Sequence, residues 1–237
     1  MDKGISVVLL SYKEAENLKI LLPEIKKEVE KCTNNYEILV IDTEKSLDNT
    51  KDVCIENGVC YINQEKPAFG GAFETGIRYA QKDIFLIMDS DGSHPTSKIP
   101  EIYQRFVSSS CDVVIGSRYC KGGESNDKTS SKIMSHILNF AFRIVLGVNA
   151  RDLSTDYRMY HTSALKNVNL ECKNYDVLEE VLLKLKLNKS DKKLIIEEVP
   201  ISFSKRMYGE SKRQLLKFIL SYIKTLFKLI GLRIKNT

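Results

Sequence analysis

Three features of the sequence predict an α/β fold with a mostly parallel central sheet. Apolar runs at 5–10, 37–41, 83–88 and 113–115 are continuous rather than alternating, as expected of strands covered on both faces. Stretches of helical length and pattern separate them, at 14–31, 48–57, 69–80 and 97–107. Alternation of this kind places helices on both faces of a parallel sheet, and such sheets bind ligands beyond the carboxyl ends of their strands.

Taken in order, Ile5-Ser-Val-Val-Leu-Leu10 is the first strand and 14–31 the first helix. The strand at 37–41 leads into a charged helix at 48–57, and 59–62 is short and β-like. The helix at 69–80 is opened by glycines, and 83–88 is again a buried strand, followed by the helix 97–107 and the run 113–115. The second half changes character. Residues 121–131, rich in Gly, Ser and charge, are expected to form a mobile loop. Residues 133–148 are strongly apolar with His136 and Arg143 interspersed, and 152–160 are polar and aromatic. An amphipathic helix is expected at 177–187, and a strand broken at Pro200 over 194–203. No repeat, low-complexity tract or Pro/Gly linker divides the chain, so the expected organisation is one domain, 1–208, with a basic amphipathic helix at 209–237.

The 237 residues suffice for one large domain, and 43% hydrophobic with 28% charged residues is an ordinary globular composition. None of the six cysteines forms a Cys-x-x-Cys pair and no His cluster accompanies them, which argues against zinc and for reduced thiols in a cytosolic protein. Strand-like sequence begins by Ile5, so no signal peptide is expected, and no stretch approaches the ~20 apolar residues of a spanning helix.

The sharpest chemical signal is Met88-Asp89-Ser90-Asp91-Gly92-Ser93-His94-Pro95, placed directly after an apolar strand. Residues two apart in an extended segment point the same way, so Asp89 and Asp91 can share a hard cation such as Mg²⁺ or Mn²⁺ with a diphosphate. Such a metal neutralises charge growing on a departing nucleoside diphosphate. Taken alone, the segment reads equally well as a polar turn.

Its neighbours favour the chemical reading. Ser11-Tyr12-Lys13-Glu14-Ala15-Glu16-Asn17-Leu18, Val40-Ile41-Asp42 with Asp48-Asn49-Thr50, and Phe69-Gly70-Gly71-Ala72 with Gly76 occur in order. So do Ile115-Gly116-Ser117-Arg118-Tyr119, the segment from Asp152 through Asp156-Tyr157-Arg158 to Tyr160, and Val199-Pro200-Ile201 with Arg206 and Tyr208-Gly209-Glu210-Ser211-Lys212. Together these resemble the family 2 glycosyltransferases of GT-A fold, most closely their dolichol-phosphate mannose synthase-like branch. The resemblance implies a GT-A-type, Rossmann-like sandwich and an inverting transfer from a GDP- or UDP-sugar. It implies a nucleotide-sugar set of Ser11, Tyr12, Glu14, Asp42, Gly70, Asp89, Ser90 and Asp91, within which Tyr12, Glu14 and Asp42 line the base and ribose pocket. Ser93 stands where some relatives supply a further metal ligand. Thr43 replaces the family's second carboxylate after strand two, and Glu44-Lys45-Ser46-Leu47 its Gly-Ser turn, which leaves the base open.

For the acceptor, the resemblance places Arg118, Lys132, Arg206 and Lys212 at or near positions that contact a lipid phosphate, which favours a polyprenyl phosphate. Residues 211–237 contain no acid, and on a helix Arg213, Lys217, Lys224, Lys228 and Lys235 share one narrow stripe beside a broad apolar face. That pattern suits an anionic membrane interface, giving a peripheral protein at the inner face of the membrane; packing on the domain or on a second subunit is the alternative. Nucleic acid fits poorly, since base-reading motifs are absent. A lipid phosphate needs no protein base, whereas a glycan hydroxyl does, and Asp152 or Asp156 is then the candidate. The catalytic set is therefore Asp89, Asp91, Arg118, Asp152 and Asp156. Rival readings are a transferase to surface glycans and a silent nucleotide-binding or membrane-tethering relative.

Overall fold

The computed structural model describes residues 3–126, 129–209 and 215–235, with side chains described from Tyr222 onward in the last segment. In chain order the elements are β1 (Ile5–Leu10), α1 (Ala15–Val29), β2 (Tyr36–Asp42), α2 (Thr50–Glu56), β3 (Cys60–Asn63), α3 (Ala68–Tyr79), β4 (Ile84–Asp89), α4 (Ile99–Ser108) and β5 (Val113–Ser117). There follow β6 (Glu124–Ser125), α5 (Thr129–Leu146), β7 (Arg158–His161), α6 (Thr162–Lys166), α7 (Val177–Asn188), β8 (Ile196–Pro200), β9 (Ser202–Phe203) and α8 (Leu215–Lys235).

Seven strands form one sheet in the order β3-β2-β1-β4-β7-β5-β8, parallel except for β7, which runs antiparallel to both β4 and β5. The predicted α/β class and mostly parallel sheet are what the chain forms. Strand side chains alternate between two cores, as the two-residue period requires. Val7, Leu9, Val40, Leu86 and Met88 pack under α1, α2 and α4. Val8, Ile41, Phe85, Ile87 and Ile115 pack under α3, α5, α7 and α8. The helix at the C-terminal end is part of this second core: Tyr222 and Leu229 are buried in it, and the Tyr222 ring meets Phe142 of α5 edge-on.

Periodicity did not reveal β7. Arg158 interrupts its apolar pattern, yet that side chain is fully buried because its fork donates to the carbonyls of Leu153, Thr155 and Leu178. The loop expected at 121–131 is held at its start: Glu124 N–H donates to Ile201 O and Asn126 N–H to Phe203 O, making β6 a parallel partner of β9, and α5 begins at Thr129. The strand expected over 194–203 divides at Pro200, with β8 in the large sheet and β9 in the small one.

Candidate active site

The carboxyl ends of β1, β2 and β4 open onto a cleft of about 1190 Å³. Leu10 and Asp89 are register partners at the ends of adjacent parallel strands, so the acidic loop after β4 lies beside the loop after β1. Ser90 Oγ donates to Leu10 O at 2.7 Å and joins the two loops. Within the acidic loop, Ser93 N–H donates to Asp91 Oδ1 at 3.0 Å and Ser93 Oγ to Asp89 Oδ2 at 3.2 Å. Gly92 turns the loop at φ +80°, a backbone conformation that favours glycine, and the Met207 side chain packs over the position a Cβ would occupy.

His94 anchors the loop from behind. Its ring is buried, stacked on Tyr157 at 4.9 Å and edge-on to Phe203 at 5.3 Å. Asp89 N–H donates to His94 Nδ1 at 3.0 Å, which assigns the proton to Nε2, 3.3 Å from Thr155 Oγ1. Burial pushes the imidazole pKa down, against the opposing pull of Asp89 and Asp91. Among the described residues, Asp89, His94 and Asp156 bring one potential ligand atom each within 4.8 Å of one another. The Nδ1 lone pair is already engaged by a backbone N–H, so His94 serves as a support, and the oxygen ligands fall to the acids. Asp89, Asp91 and the Ser93 hydroxyl are a hard donor set facing the cleft, which fits Mg²⁺ or Mn²⁺.

The segment after β9 lies across this loop. Ser204 N–H donates to Ser93 O, Met207 N–H to Asp91 O at 2.9 Å, and Tyr208 N–H to Asn17 Oδ1. Lys205 and Arg206 thereby reach the cleft wall. Arg206 Nη2 lies 2.7 Å from Glu14 Oε1 and 3.2 Å from Asp91 Oδ2. Burial raises the Glu14 carboxyl pKa, and its hydrogen bond from Asn17 and the Arg206 charge oppose that rise.

Of the residues expected at the site, Ser11, Tyr12, Glu14, Asp89, Ser90, Asp91, Ser93, Asp156 and Arg206 line the cleft. Several others do not. Asp42 is fully buried, accepting from Tyr61 Oη at 2.9 Å and from Thr43 N–H, so it shapes the wall from behind. Gly70 makes a packing contact: its N–H donates to Lys173 O, and a Cβ would lie 2.3 Å from Cys172 O. Asp152, a candidate base, is wholly buried, and its two oxygens receive Arg118 Nε and Nη2 at 2.7 and 2.8 Å. Burial alone would raise the Asp152 carboxyl pKa, but Arg118 holds it below its ordinary value. That pair is a structural brace between β5 and the loop before β7. Lys132 sits on α5, outside the cleft lining, and Lys212 falls outside the described residues. His94, Lys205 and Tyr175 also belong to the site, although no motif in the sequence assigns them a role. Tyr175 stacks on Phe69 at 4.3 Å in the cleft wall.

Residues 6–168 match the family described as Glycosyl transferase family 2. The dolichol-phosphate mannosyltransferase of Pyrococcus furiosus is 29% identical over 233 residues, covering 95% of this chain; the chain spans 63% of that protein's length. The undecaprenyl-phosphate mannosyltransferase of Micrococcus luteus is 31% identical over 218 residues, covering 86% of this chain and 85% of the relative. Among solved structures, glucosyl-3-phosphoglycerate synthase of Mycobacterium tuberculosis with Mn²⁺, UDP-glucose and phosphoglyceric acid superposes with a TM-score of 0.75 at 18% identity, covering 97% of this chain and 80% of that one. A further structure of that synthase contains Mg²⁺ and UDP and gives a TM-score of 0.72 at the same identity, with the same coverage of both chains.

Proposed function

The chain belongs to glycosyl transferase family 2, and from that premise we propose that it moves a sugar from a nucleoside-diphosphate sugar to a polyprenyl-phosphate acceptor, using a divalent cation at Asp89 and Asp91. The observation that carries this reading is the pair of acids at the cleft floor with Arg206 and Lys205 on the facing wall, an arrangement suited to a diphosphate bridged by a metal. The cation, held by Asp89 and Asp91 with Ser93 in reach, would supply charge neutralisation on the leaving diphosphate. Ser11, Tyr12 and Glu14 would hold the nucleoside end; hydroxyl and carboxylate groups accept hydrogen bonds from base and ribose. Arg206 and Lys205 would steer the acceptor phosphate, already ionised and in need of no base, toward the anomeric carbon.

Two helices support a membrane-side acceptor. Ile133, Ile137, Phe140 and Ile144 are exposed along α5, and Ile223, Phe227 and Ile234 along α8. Neither helix contains an acid, while Lys132, Arg143, Lys224, Arg233 and Lys235 lie on them. An apolar face edged by cations suits the surface of an anionic bilayer, with the protein peripheral on the cytoplasmic side. No helix among the described residues is long and apolar enough to cross a membrane.

A glycan hydroxyl is the second reading, favoured by Asp156, a carboxylate in the cleft wall that could take its proton. Incubation with a panel of GDP- and UDP-sugars plus Mn²⁺, with and without polyprenyl phosphate, separates the two. Nucleoside diphosphate release that needs the lipid, with sugar recovered on it, is expected. Release indifferent to the lipid, sensitive to Asp156→Asn and stimulated by a glycan, would overturn the lipid acceptor.

A further inference from the structure

Arg206 stands between two acids from neighbouring loops of the cleft: Glu14 at the start of α1 and Asp91 after β4. Its main chain is clamped on either side. Ser204 N–H donates to Ser93 O at 3.0 Å, and Met207 N–H to Asp91 O at 2.9 Å. The guanidinium can therefore swing while its backbone stays in place. Asp91 Oδ1 accepts from Ser93 N–H, so Oδ2, which faces Arg206, is the oxygen that its own loop leaves without a hydrogen bond and the one a cation and the guanidinium would both approach. Without a positive charge at this point, the Asp91 charge would act unfavourably on the part-buried Glu14 carboxylate.

We propose that Arg206 is an internal placeholder for the divalent cation, holding Glu14 and Asp91 together until metal takes Asp91 and releases the guanidinium toward an anionic ligand. The inference rests on the metal reading of Asp89 and Asp91 given above. One consequence is an order of events: a phosphate-bearing ligand finds Arg206 available only after the cation is in place. A second is competition, since the guanidinium and the cation seek the same oxygen of Asp91.

The test is Mn²⁺ binding to the full chain without nucleotide, followed by the loss of the free Mn²⁺ paramagnetic resonance signal, beside the melting temperature with and without Mn²⁺. Arg206→Met is expected to bind Mn²⁺ about three- to tenfold more tightly, the worth of one part-exposed charge-assisted contact. Its metal-free form is expected to melt lower than the wild type, with Mn²⁺ closing the gap. Arg206→Lys, which keeps the charge but loses the fork, is expected between the two and guards against a folding failure of the methionine variant. Equal or weaker Mn²⁺ affinity in both variants, with binding intact in the wild type, would overturn the placeholder and leave the metal reading standing. No Asp91-dependent binding in any form, judged against Asp91→Asn, would overturn the metal reading and the placeholder with it.

Discussion

Arg118 and Asp152 form a bidentate pair at 2.7 and 2.8 Å in which the carboxylate is wholly buried, and Arg118 N–H donates to the same acid. The pair ties the end of β5 to the loop that delivers Asp156 to the cleft. Removing one partner leaves an uncompensated buried charge, so Asp152→Asn or Arg118→Met should cost about 3–5 kcal/mol in denaturant unfolding. The double variant Arg118→Met/Asp152→Asn should cost less than the two singles combined. The folded-state pKa of Asp152 is lowered, so its contribution is present above the ordinary value of 3.8 and disappears as pH falls through the folded-state pKa.

His94 supports the acidic loop through one acceptor atom. His94→Phe keeps the ring stacked on Tyr157 but leaves Asp89 N–H without its partner. Loss of such supports commonly lowers metal affinity about 10–100-fold, and that is the expected change in Mn²⁺ binding, with the circular dichroism spectrum unchanged. Undiminished Mn²⁺ affinity would refute the assigned role.

Glu179 of α7 is fully buried, and neither carboxylate oxygen has a side-chain hydrogen-bond partner among the described residues. Burial pushes its pKa up to about 8, with Arg158 opposing the rise. A raised acid pKa means the folded state holds the proton while the unfolded state releases it, so the group lowers stability as pH climbs from 4.5 to about 8. Glu179→Gln should flatten the fall of stability across that window and gain most at its upper end. A pH–stability curve unchanged by the substitution would show that Glu179 is ionised in the fold.

α8 is docked by polar contacts as well as by its apolar face. Thr225 Oγ1 donates to Asp176, and Lys228 pairs with Glu171 at 3.1 Å. Asp176 immediately follows Asn174 and Tyr175 in the cleft wall, so the helix is fastened to that wall. Thr225→Val, which removes a buried charge-assisted bond, should cost about 1.5–3 kcal/mol, and Lys228→Met, half-exposed, about 0.2–1 kcal/mol. Hydrogen exchange of α8 amides should accelerate in that order, and equal exchange in all forms would contradict the docking role.

What the sequence disclosed and what it withheld differ in a consistent way. A strand end and a two-residue spacing, both local features, place Asp89 and Asp91 at the cleft from sequence alone, and the family resemblance adds Ser93; all three line the cleft. The burial of Asp42 depends on Tyr61, and the packing of Gly70 on the Cys172 carbonyl, partners on other elements that no local pattern announces. Asp152 and Asp156 are alike in sequence and both buried, but Arg118 engages Asp152 while Asp156 lines the cleft. β7 was hidden because Arg158 breaks its apolar run, and the carbonyls that make burial of that arginine tolerable become its neighbours only through folding. For α8, the cationic stripe was visible, while the docking of Lys228 and Thr225 required Glu171 and Asp176 to be brought alongside.

The most direct test of the metal-dependent donor site is nucleoside diphosphate release measured against Mn²⁺ concentration, in chelator, and in Asp91→Ala checked for an unchanged circular dichroism spectrum. Release that rises with Mn²⁺, vanishes in chelator and falls at least ~100-fold in Asp91→Ala, the scale expected when a charge-stabilising contact to the leaving group is lost, is the predicted result. Full release in chelator, or an undiminished rate in Asp91→Ala, would contradict it.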